Sequence, residues 1–271
     1  MTPQDFDYLR KLLRDRSGLM LAAEKQYLAE SRLLPVARKH GLNTLAELVG
    51  KLKGAGAAML SVEVVEAMTT NETFFFRDKI PFEHFRDTML PALIAARARE
   101  KRIRIWCTAA STGQEPYSLA MLLKGMNAAL AGYRVEILAT DLSADVLEKA
   151  KAGIYSQFEV QRGLPIQQLV KFFSQVGERW QIAPEIRAMV QFRPLNLLND
   201  FSPLGTFDLV FRRNVLIYFN KKLQDRAFGL FHESLSHRGF LVLGSKETLD
   251  FSNYSNQFEP LVKQERIYRK S

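Results

Sequence analysis

The residues that most clearly indicate chemistry are a loop of small residues and an acid that follows it in the chain. The loop, residues 106–118, comes after the apolar run 103–106 and before the apolar cluster 119–123, which suits a helix. This order of strand, loop and helix brings backbone close to a nucleotide-like ligand in doubly wound α/β proteins. A second apolar strand, residues 135–140, then leads to Asp141, where such folds place the acid that binds ribose hydroxyls.

The loop departs from a dinucleotide-binding fingerprint because it contains one glycine, Gly113, instead of three. A loop of this kind, combined with an acid at the end of the second strand, fits S-adenosylmethionine (AdoMet) better than NAD. The sequence therefore predicts an AdoMet pocket at the carboxyl edge of a parallel sheet.

A second polar cluster, residues 69–77, contains three consecutive phenylalanines between polar side chains and an arginine. One interpretation is a capping box, in which Thr69 and Glu72 begin a buried helix. The other is a shared pocket, in which an amide, a hydroxyl and a guanidinium point at a ligand while the phenylalanines exclude water. Spacing alone favours the capping box.

A third segment, residues 207–219, is apolar apart from a few polar side chains near the end of the fourth predicted strand. Arg213 and Asn214 fall at the strand end that faces the ligand crevice of a doubly wound sheet, and Tyr218 follows within one turn. Burial of arginine without a partner is costly, so buried side chains here would indicate a ligand or an ion pair. Surface arginines beyond a strand end are the alternative.

The pattern of apolar residues predicts an α/β protein with a helical N-terminal domain. Residues 1–70 show helical spacing only, and Pro35 is expected to kink or split a helix over residues 25–40. Residues 258–269 predict closing antiparallel strands. The runs that predict a parallel sheet covered on both faces are residues 103–107, 135–140, 189–192, 207–211 and 240–243.

These patterns divide the chain into a helical domain (residues 1–70), a connecting segment (71–102) and a catalytic domain (103–271). Residues 153–188 are too many for an ordinary connection between a helix and a strand. We expect a small inserted subdomain there, formed by a helix and a short hairpin.

The composition favours a globular protein with an acidic partner. The net charge of +9 fits nucleic acid, anionic lipid or an acidic protein surface. No apolar run approaches the ~20 residues of a membrane span, and the N-terminus lacks the features of a signal peptide. The cytoplasm is therefore the expected location. One cysteine and four scattered histidines argue against a zinc site, and no metal is expected.

Four segments, residues 70–77, 109–118, 139–141 and 207–219, together resemble the CheR-type methyltransferases of bacterial chemotaxis, in order along nearly the whole chain. The resemblance implies a Rossmann-like class I AdoMet-dependent methyltransferase fold, with an all-helical N-terminal domain and an inserted β-subdomain. It implies methyl ester formation on glutamates in the cytoplasmic domain of methyl-accepting chemoreceptors, with S-adenosylhomocysteine (AdoHcy) as product. Neither nucleic acid nor membrane insertion is implied.

The resemblance also implies site residues by position. Arg77 and Tyr218 match positions that the family associates with catalysis. Lys25, Arg32 and Lys39 recur every seven residues and could form a basic stripe that meets the acidic methylation region of the receptor, although such stripes are as often only solvated. The implied cofactor-binding residues are Asn71, Thr73, Arg77, Glu115, Asp141, Asn196, Leu197, Arg213 and Asn214.

Two positions depart from the family pattern: Arg212 stands where cysteine is usual, and Gln114 where glutamate is common. An inward-facing Arg212 would disfavour a cationic sulfonium, so we expect its side chain to point away from the pocket. The compact hairpin over residues 174–188 resembles members that act without a pentapeptide tether on the receptor. Weak or no pentapeptide binding is therefore expected.

Two other functions compete with receptor methylation. Charge and fold also suit a nucleic-acid methyltransferase, but residues 213–216 lack the Asn/Asp-Pro-Pro-aromatic motif of amino-group methylases. Cys107 lies at the end of the first strand, where packing is its expected role, rather than beside the fourth strand as carbon methylases require. A non-catalytic AdoMet-binding signalling module is the third possibility, and the presence of Arg77 and Tyr218 argues against it.

Overall fold

The computed structural model describes residues 1–271, whose contacts divide into two units. The first unit contains Met1–Thr70 together with Tyr218–Leu223, and the second contains Asn71–Ile217 and Gln224–Ser271. The short segment Tyr218–Leu223 is thus grouped with the N-terminal helices although it follows them by almost 150 residues.

The first unit contains four α-helices, of which the first and third have side-chain caps at their N-termini. The Thr2 hydroxyl and the Asp5 carboxylate form a capping box at the start of the first helix, and the Thr44 hydroxyl caps the third. Gly41, with a φ of +72°, ends the second helix in the left-handed conformation that favours glycine. The helices are α1 (Pro3–Ser17), α2 (Gln26–Lys39), α3 (Leu45–Leu52) and α4 (Ala58–Met68).

Helix α2 runs without a break through Pro35, so the expectation that this proline splits the helix is wrong. Proline removes one backbone hydrogen bond, and here its ring lies on the exposed face of the helix. Ala29, Leu33 and Ala37 on the opposite face are fully buried. Packing of that face stabilises the helix more than the missing bond weakens it.

The capping box predicted for Thr69 and Glu72 is also wrong, because no helix begins there. Thr69 instead ends α4, and its hydroxyl donates a 2.6 Å hydrogen bond to the Glu66 carbonyl. Residues 70–74 have no regular secondary structure, and the next helix starts at Ile80. A threonine hydroxyl can donate to a carbonyl in the last turn of one helix as well as accept an N–H at the start of another. Sequence spacing cannot distinguish these two uses.

The second unit contains the parallel sheet predicted from the apolar runs. The main sheet has the strand order β6-β2-β1-β7-β8-β10-β9, in which the first five strands pair in parallel and β10 pairs antiparallel with both β8 and β9. A separate three-stranded sheet has the order β3-β5-β4. The strands are β1 (Arg102–Cys107), β2 (Arg134–Asp141), β3 (Ile154–Ser156), β4 (Phe173–Val176), β5 (Arg179–Ile182), β6 (Val190–Pro194), β7 (Phe207–Arg212), β8 (Leu235–Leu243), β9 (Phe258–Val262) and β10 (Ile267–Lys270).

Helices lie between the strands in the alternation expected of a doubly wound fold. A π-helical turn, Phe85–Met89, joins α5 to α6 in one continuous helical segment that includes Pro91. These helices are α5 (Ile80–His84), α6 (Leu90–Ala96), α7 (Gln114–Gly125), α8 (Ala144–Ala152), α9 (Gln157–Gln161), α10 (Ile166–Phe172), α11 (Pro184–Arg187) and α12 (Lys221–Ser234). None of the helices has both the length and the apolarity needed to cross a bilayer.

Aromatic packing fixes the central strands on both faces of the sheet. Trp106 on β1 is fully buried and lies 4.9 Å from Phe201 and 5.6 Å from Phe231, measured between ring centroids. Phe211 on β7 lies 5.8 Å from Phe82. Because β1, β2 and β7 pair in parallel, their carboxyl ends lie at the same edge of the sheet.

Candidate functional site

Asp141 at the end of β2 connects two loops at the carboxyl edge of the sheet. Its carboxylate accepts the backbone N–H of Ser111 at 2.8 Å and that of Ser143 at 3.0 Å. The Ser111 hydroxyl donates in turn to the Asn71 carbonyl at 2.9 Å. Two predicted cofactor residues, Asn71 and Asp141, are therefore brought together through Ser111.

The N-terminus of α7 points into the same edge. Gly113 precedes the helix with a φ of +94°, and a Cβ there would lie 3.0 Å from both Ala150 and Tyr117. Only glycine tolerates both the positive φ and the lack of space for a Cβ without strain. Glu115 lies in the first turn, where the positive end of the helix dipole favours an anionic group.

Arg213 forms the charged centre of the site. Its side chain is 2% exposed and pairs with two carboxylates, Asp78 and Glu115, the latter at 3.2 Å. Burial raises the pKa of Glu115, and the adjacent Arg213 guanidinium opposes that rise. Burial of the arginine thus goes with an ion pair, one of the two outcomes that the sequence pattern allowed.

Several buried polar atoms at this edge have no hydrogen-bond partner within the protein, among them Asn214 Oδ1, Thr108 Oγ1 and Arg213 Nε. Asn214 also adopts a φ of +63°, in the left-handed region. Because buried polar atoms are rarely left unpaired, such atoms indicate a polar ligand. Their placement at the ends of β1 and β7 fits AdoMet, whose ribose, adenine and amino acid moiety all form hydrogen bonds.

Arg212 is fully buried, and its guanidinium pairs with Glu247 at 2.7 Å. Burial lowers the pKa of Arg212 to about 10, although Glu247 favours the charged form. The bond to Glu247 balances the charge that this residue adds where the family usually has cysteine. Its side chain contacts Glu247, while that of Arg213 contacts Glu115.

The phenylalanine segment, residues 74–76, packs against the inserted sheet and the helix α7. Phe75 is fully buried, with its ring centroid 5.0 Å from Tyr155 and 5.5 Å from Phe173 in the inserted sheet. The Phe76 N–H donates to the Ser118 hydroxyl at 3.0 Å. Phe76 has a φ of +50°, so the chain turns sharply before Arg77.

The Arg77 side chain is held by contacts with residues of its own segment. Its Nη1 donates to the Glu72 carbonyl at 2.7 Å, and its guanidinium carbon lies 5.4 Å from the Phe74 ring centroid. The guanidinium of Arg162 lies 4.4 Å from the same centroid and donates to the Glu72 carboxylate at 2.6 Å. This hydrogen bond lowers the pKa of Glu72. One aromatic ring therefore contacts two guanidinium groups.

The inserted subdomain is attached to the site at two points. Tyr155 on β3 donates through its hydroxyl to the Thr112 carbonyl at 2.8 Å. Arg162 and Gly163 contact the phenylalanine segment, and a Cβ on Gly163 would lie 2.1 Å from the Phe75 carbonyl oxygen. Sequence reasoning missed Arg162, Asp78 and Glu247, because their ion-pair partners lie 35 to 135 residues away.

Substituting Gly163 by alanine is expected to destabilise the protein, because the new methyl would collide with backbone that cannot retreat. Gly132 is the matched control: it has a φ of +79° against +82° for Gly163, with nothing within 4 Å of its Cβ. Both variants carry the left-handed cost of about 1–2 kcal/mol. We expect Gly163→Ala to lose about 1–3 kcal/mol more, measured by urea unfolding. Equal losses in the two variants would contradict the contact.

The remaining cofactor positions lie near this edge. The Leu195 N–H donates to the Asp141 carbonyl at 2.8 Å, which joins the loop after β6 to the end of β2. In that loop Asn196 accepts the Leu198 N–H at 3.0 Å, and both Asn196 and Leu197 are half-buried. Thr73 is also half-buried.

Tyr218 belongs to the first unit. It ends the 3-10 turn Leu216–Tyr218 after β7, and its carbonyl accepts the Met20 N–H at 2.9 Å. The side chain is half-buried. Its catalytic role therefore stays a prediction that depends on the family resemblance.

The three basic residues predicted to contact the receptor do not form one stripe on α2. Lys25 lies in the preceding 3-10 turn and is exposed. Arg32 donates to the Met68 and Thr69 carbonyls at 2.7 and 3.0 Å, which caps the end of α4. Lys39 pairs with Glu63 at 2.8 Å. Arg32 is thus used within its own unit.

The family described as "CheR methyltransferase, SAM binding domain" matches residues 71–267, and "CheR methyltransferase, all-alpha domain" matches residues 4–69. The chain is 42% identical over 250 residues to chemotaxis protein methyltransferase 1 of Pseudomonas aeruginosa, covering 91% of this chain and 90% of the relative. It is 37% identical over 262 residues to chemotaxis protein methyltransferase 1 of Vibrio cholerae, covering 96% and 94%.

Solved structures share less sequence with the chain. The DhpI–SAH complex is 16% identical, with a TM-score of 0.33, and covers 69% of this chain and 68% of its own. An S-adenosylmethionine-dependent methyltransferase from Mesorhizobium loti is 19% identical, with a TM-score of 0.30, and covers 56% of this chain and 51% of its own.

Proposed function

Because the chain belongs to the CheR methyltransferase family, which binds AdoMet, we propose that it methylates glutamate side chains of bacterial chemoreceptors. The products are a methyl ester and AdoHcy. The observation that best supports this proposal is the hydrogen-bonded connection of Asn71, Ser111 and Asp141 beside the Arg213 ion pairs. It gathers the cofactor positions at the edge where a doubly wound fold binds its ligand.

The chemistry requires alignment more than proton transfer. A glutamate side chain with a pKa of ~4.3 is already ionised at neutral pH, so no general base is needed. AdoMet, when bound, supplies a methyl group on a positively charged sulfur. The protein therefore needs to hold the carboxylate in line and exclude water, and correct positioning can contribute heavily to the rate.

We assign the orientation of the acceptor carboxylate to Arg77. Its guanidinium is already held by the Glu72 carbonyl and the Phe74 ring, so little freedom is lost when it binds a carboxylate. Tyr218 is proposed to position the reacting groups through a hydrogen bond from its hydroxyl. Arg213 is not assigned this role, because Asp78 and Glu115 already neutralise its charge.

For receptor recognition, we propose that the acidic methylation region meets two separate lysines of the N-terminal unit, Lys25 and Lys39. Lys39 remains 69% exposed within its pair with Glu63, and an exposed ion pair exchanges partners at little cost. Arg32 is proposed to act indirectly, by holding the end of α4.

We propose that the receptor is methylated without a pentapeptide tether. Strands β4 and β5 are joined by a two-residue turn, Gly177-Glu178, so the hairpin has no extended loop with which to enclose a peptide. Isothermal titration with a receptor C-terminal pentapeptide is expected to give no heat at micromolar concentration. A micromolar dissociation constant would contradict this proposal.

The function is tested by transfer of labelled methyl from AdoMet to cytoplasmic receptor fragments. We expect the label on the fragment to be lost in mild base, as carboxyl methyl esters are, and to disappear when the acceptor glutamates are replaced by alanine. Structured RNA at physiological salt is the parallel substrate for the competing nucleic-acid function. A base-stable label, or label on RNA alone, would refute receptor esterification, whereas AdoHcy binding without transfer would favour a non-catalytic module.

A further inference from the structure

Glu247 is a buried acid whose carboxylate accepts five hydrogen bonds. Its side chain is 1% exposed and lies beyond the end of β8. Its two carboxylate oxygens accept bonds from Asn214 N (3.0 Å), Val215 N (2.8 Å), Leu216 N (2.7 Å), Gly244 N (2.7 Å) and Arg212 Nη1 (2.7 Å). A carboxylate buried in this way fixes every backbone group that it contacts.

Three of the donors belong to the loop after β7. Consecutive N–H groups 214–216 converge on one carboxylate only if the chain turns, and Asn214 makes this turn with a φ of +63°. A non-glycine residue in the left-handed region is held there by its surroundings. Glu247 supplies that restraint, because Asn214 bonds to one of its oxygens and Val215 and Leu216 bond to the other.

Packing from β8 reinforces the restraint. A Cβ on Gly244 would lie 2.8 Å from both the backbone nitrogen and Oδ1 of Asn214. Gly244, which directly follows β8, therefore packs against the unpaired Oδ1 of Asn214. The orientation of Asn214, and of Arg213 before it, depends on the contact between this loop and the residues that follow β8.

Arg212 supplies the counter-charge. Its guanidinium is fully buried, bonds to Glu247 and lies with its central carbon 5.7 Å from the Phe231 ring centroid. An unpaired buried carboxylate would be costly, so a cation at position 212 stabilises the charged form of Glu247.

We infer that Glu247, with Arg212 as its counter-ion, is a positioning residue for the AdoMet pocket: it holds the 213–216 loop so that Arg213 and Asn214 face the cofactor. The inference rests on the function proposed above for the cofactor side of the site. It assigns to Glu247 no contact with the reacting atoms.

The test is isothermal titration of AdoHcy into the full chain carrying Glu247→Gln. Whichever oxygen the amide group replaces, at least two backbone N–H groups lose their acceptor and face another N–H. We expect the dissociation constant to rise about tenfold or more, with the stoichiometry still near one. Glu259→Gln is the control, because Glu259 is an exposed acid with a single surface partner, Arg269, and should bind like the wild type.

The stoichiometry separates positioning from stability. A variant that merely unfolds in part would bind fewer moles of AdoHcy with an unchanged dissociation constant. Unchanged affinity in folded Glu247→Gln would overturn the inference. Failure of the wild type to bind AdoHcy would instead overturn the function proposed above.

A second variant covers the case in which Glu247→Gln does not fold. Arg212→Met keeps the carboxylate and its four backbone donors but removes the counter-ion. We expect faster amide hydrogen exchange at residues 214–216 and weaker AdoHcy binding than in wild type. Wild-type exchange and affinity in Arg212→Met would contradict the role of the ion pair.

Discussion

Arg77→Ala is expected to lower kcat for receptor methylation by about two orders of magnitude or more, because misplacement of a reacting group costs this much. Its affinity for AdoHcy should change by less than about tenfold, since Asn71 and Asp141 keep their connection through Ser111. Arg77→Lys retains the charge without the planar fork and should recover only part of the rate. Labelled methyl transfer at saturating AdoMet measures kcat, and titration calorimetry measures affinity.

Arg86→Ala is the matched control for Arg77. Arg86 is a half-exposed arginine of the same unit that pairs with its neighbour Asp87 at 2.6 Å. This variant should retain wild-type kcat and affinity. A kcat within threefold of wild type in Arg77→Ala would refute the proposed orienting role.

Asp141→Asn is expected to weaken AdoHcy binding by about two orders of magnitude. The carboxylate accepts two backbone N–H groups, from Ser111 and Ser143, and the amide of asparagine would place a donor against one of them. Losing hydrogen bonds to a charged group costs about 1.5–3 kcal/mol each, and 1.4 kcal/mol corresponds to a factor of ten in affinity. The same loss should lower the melting temperature by several degrees.

Asp145→Asn controls for charge, because Asp145 is a nearby aspartate that is exposed in the first turn of α8. It should bind AdoHcy normally and melt near the wild-type temperature. If Asp141→Asn bound AdoHcy as tightly as this control, the carboxylate could not be the residue that organises the pocket.

The central sheet was predictable because each of its strands is a local pattern. The run 207–211, apolar except for Asp208, predicts a strand covered on both faces without knowledge of its neighbours, and all six residues of β7 are buried. Asp141 was predictable for the same reason, since it ends such a run. Strand β3 was missed because its three residues, Ile154–Ser156, are too few to show alternation.

The contacts around Arg77 and Glu247 were not predictable from spacing. Arg162 and Glu72 are 90 residues apart, and their pairing depends on where the inserted subdomain packs. Glu247 follows a strand like many other acids, and only the turn of the 213–216 loop brings three N–H groups to it. Charged residues such as Arg162 and Glu247 are common on protein surfaces, so their types alone do not reveal that the fold pairs or buries them.

The attachment of the inserted subdomain has a consequence for building chimeras. The β4–β5 hairpin lies apart in sequence from Arg162 and Gly163, which contact the phenylalanine segment. Exchanging the hairpin alone therefore leaves Arg162 and Gly163 native but replaces Phe173, whose ring lies 5.5 Å from that of Phe75, so a donor hairpin needs an aromatic residue at this position. A graft that spans residues 153–188 must also supply its own arginine and glycine at positions 162 and 163, or the donor sheet will lack the native contacts with Phe74 and Phe75.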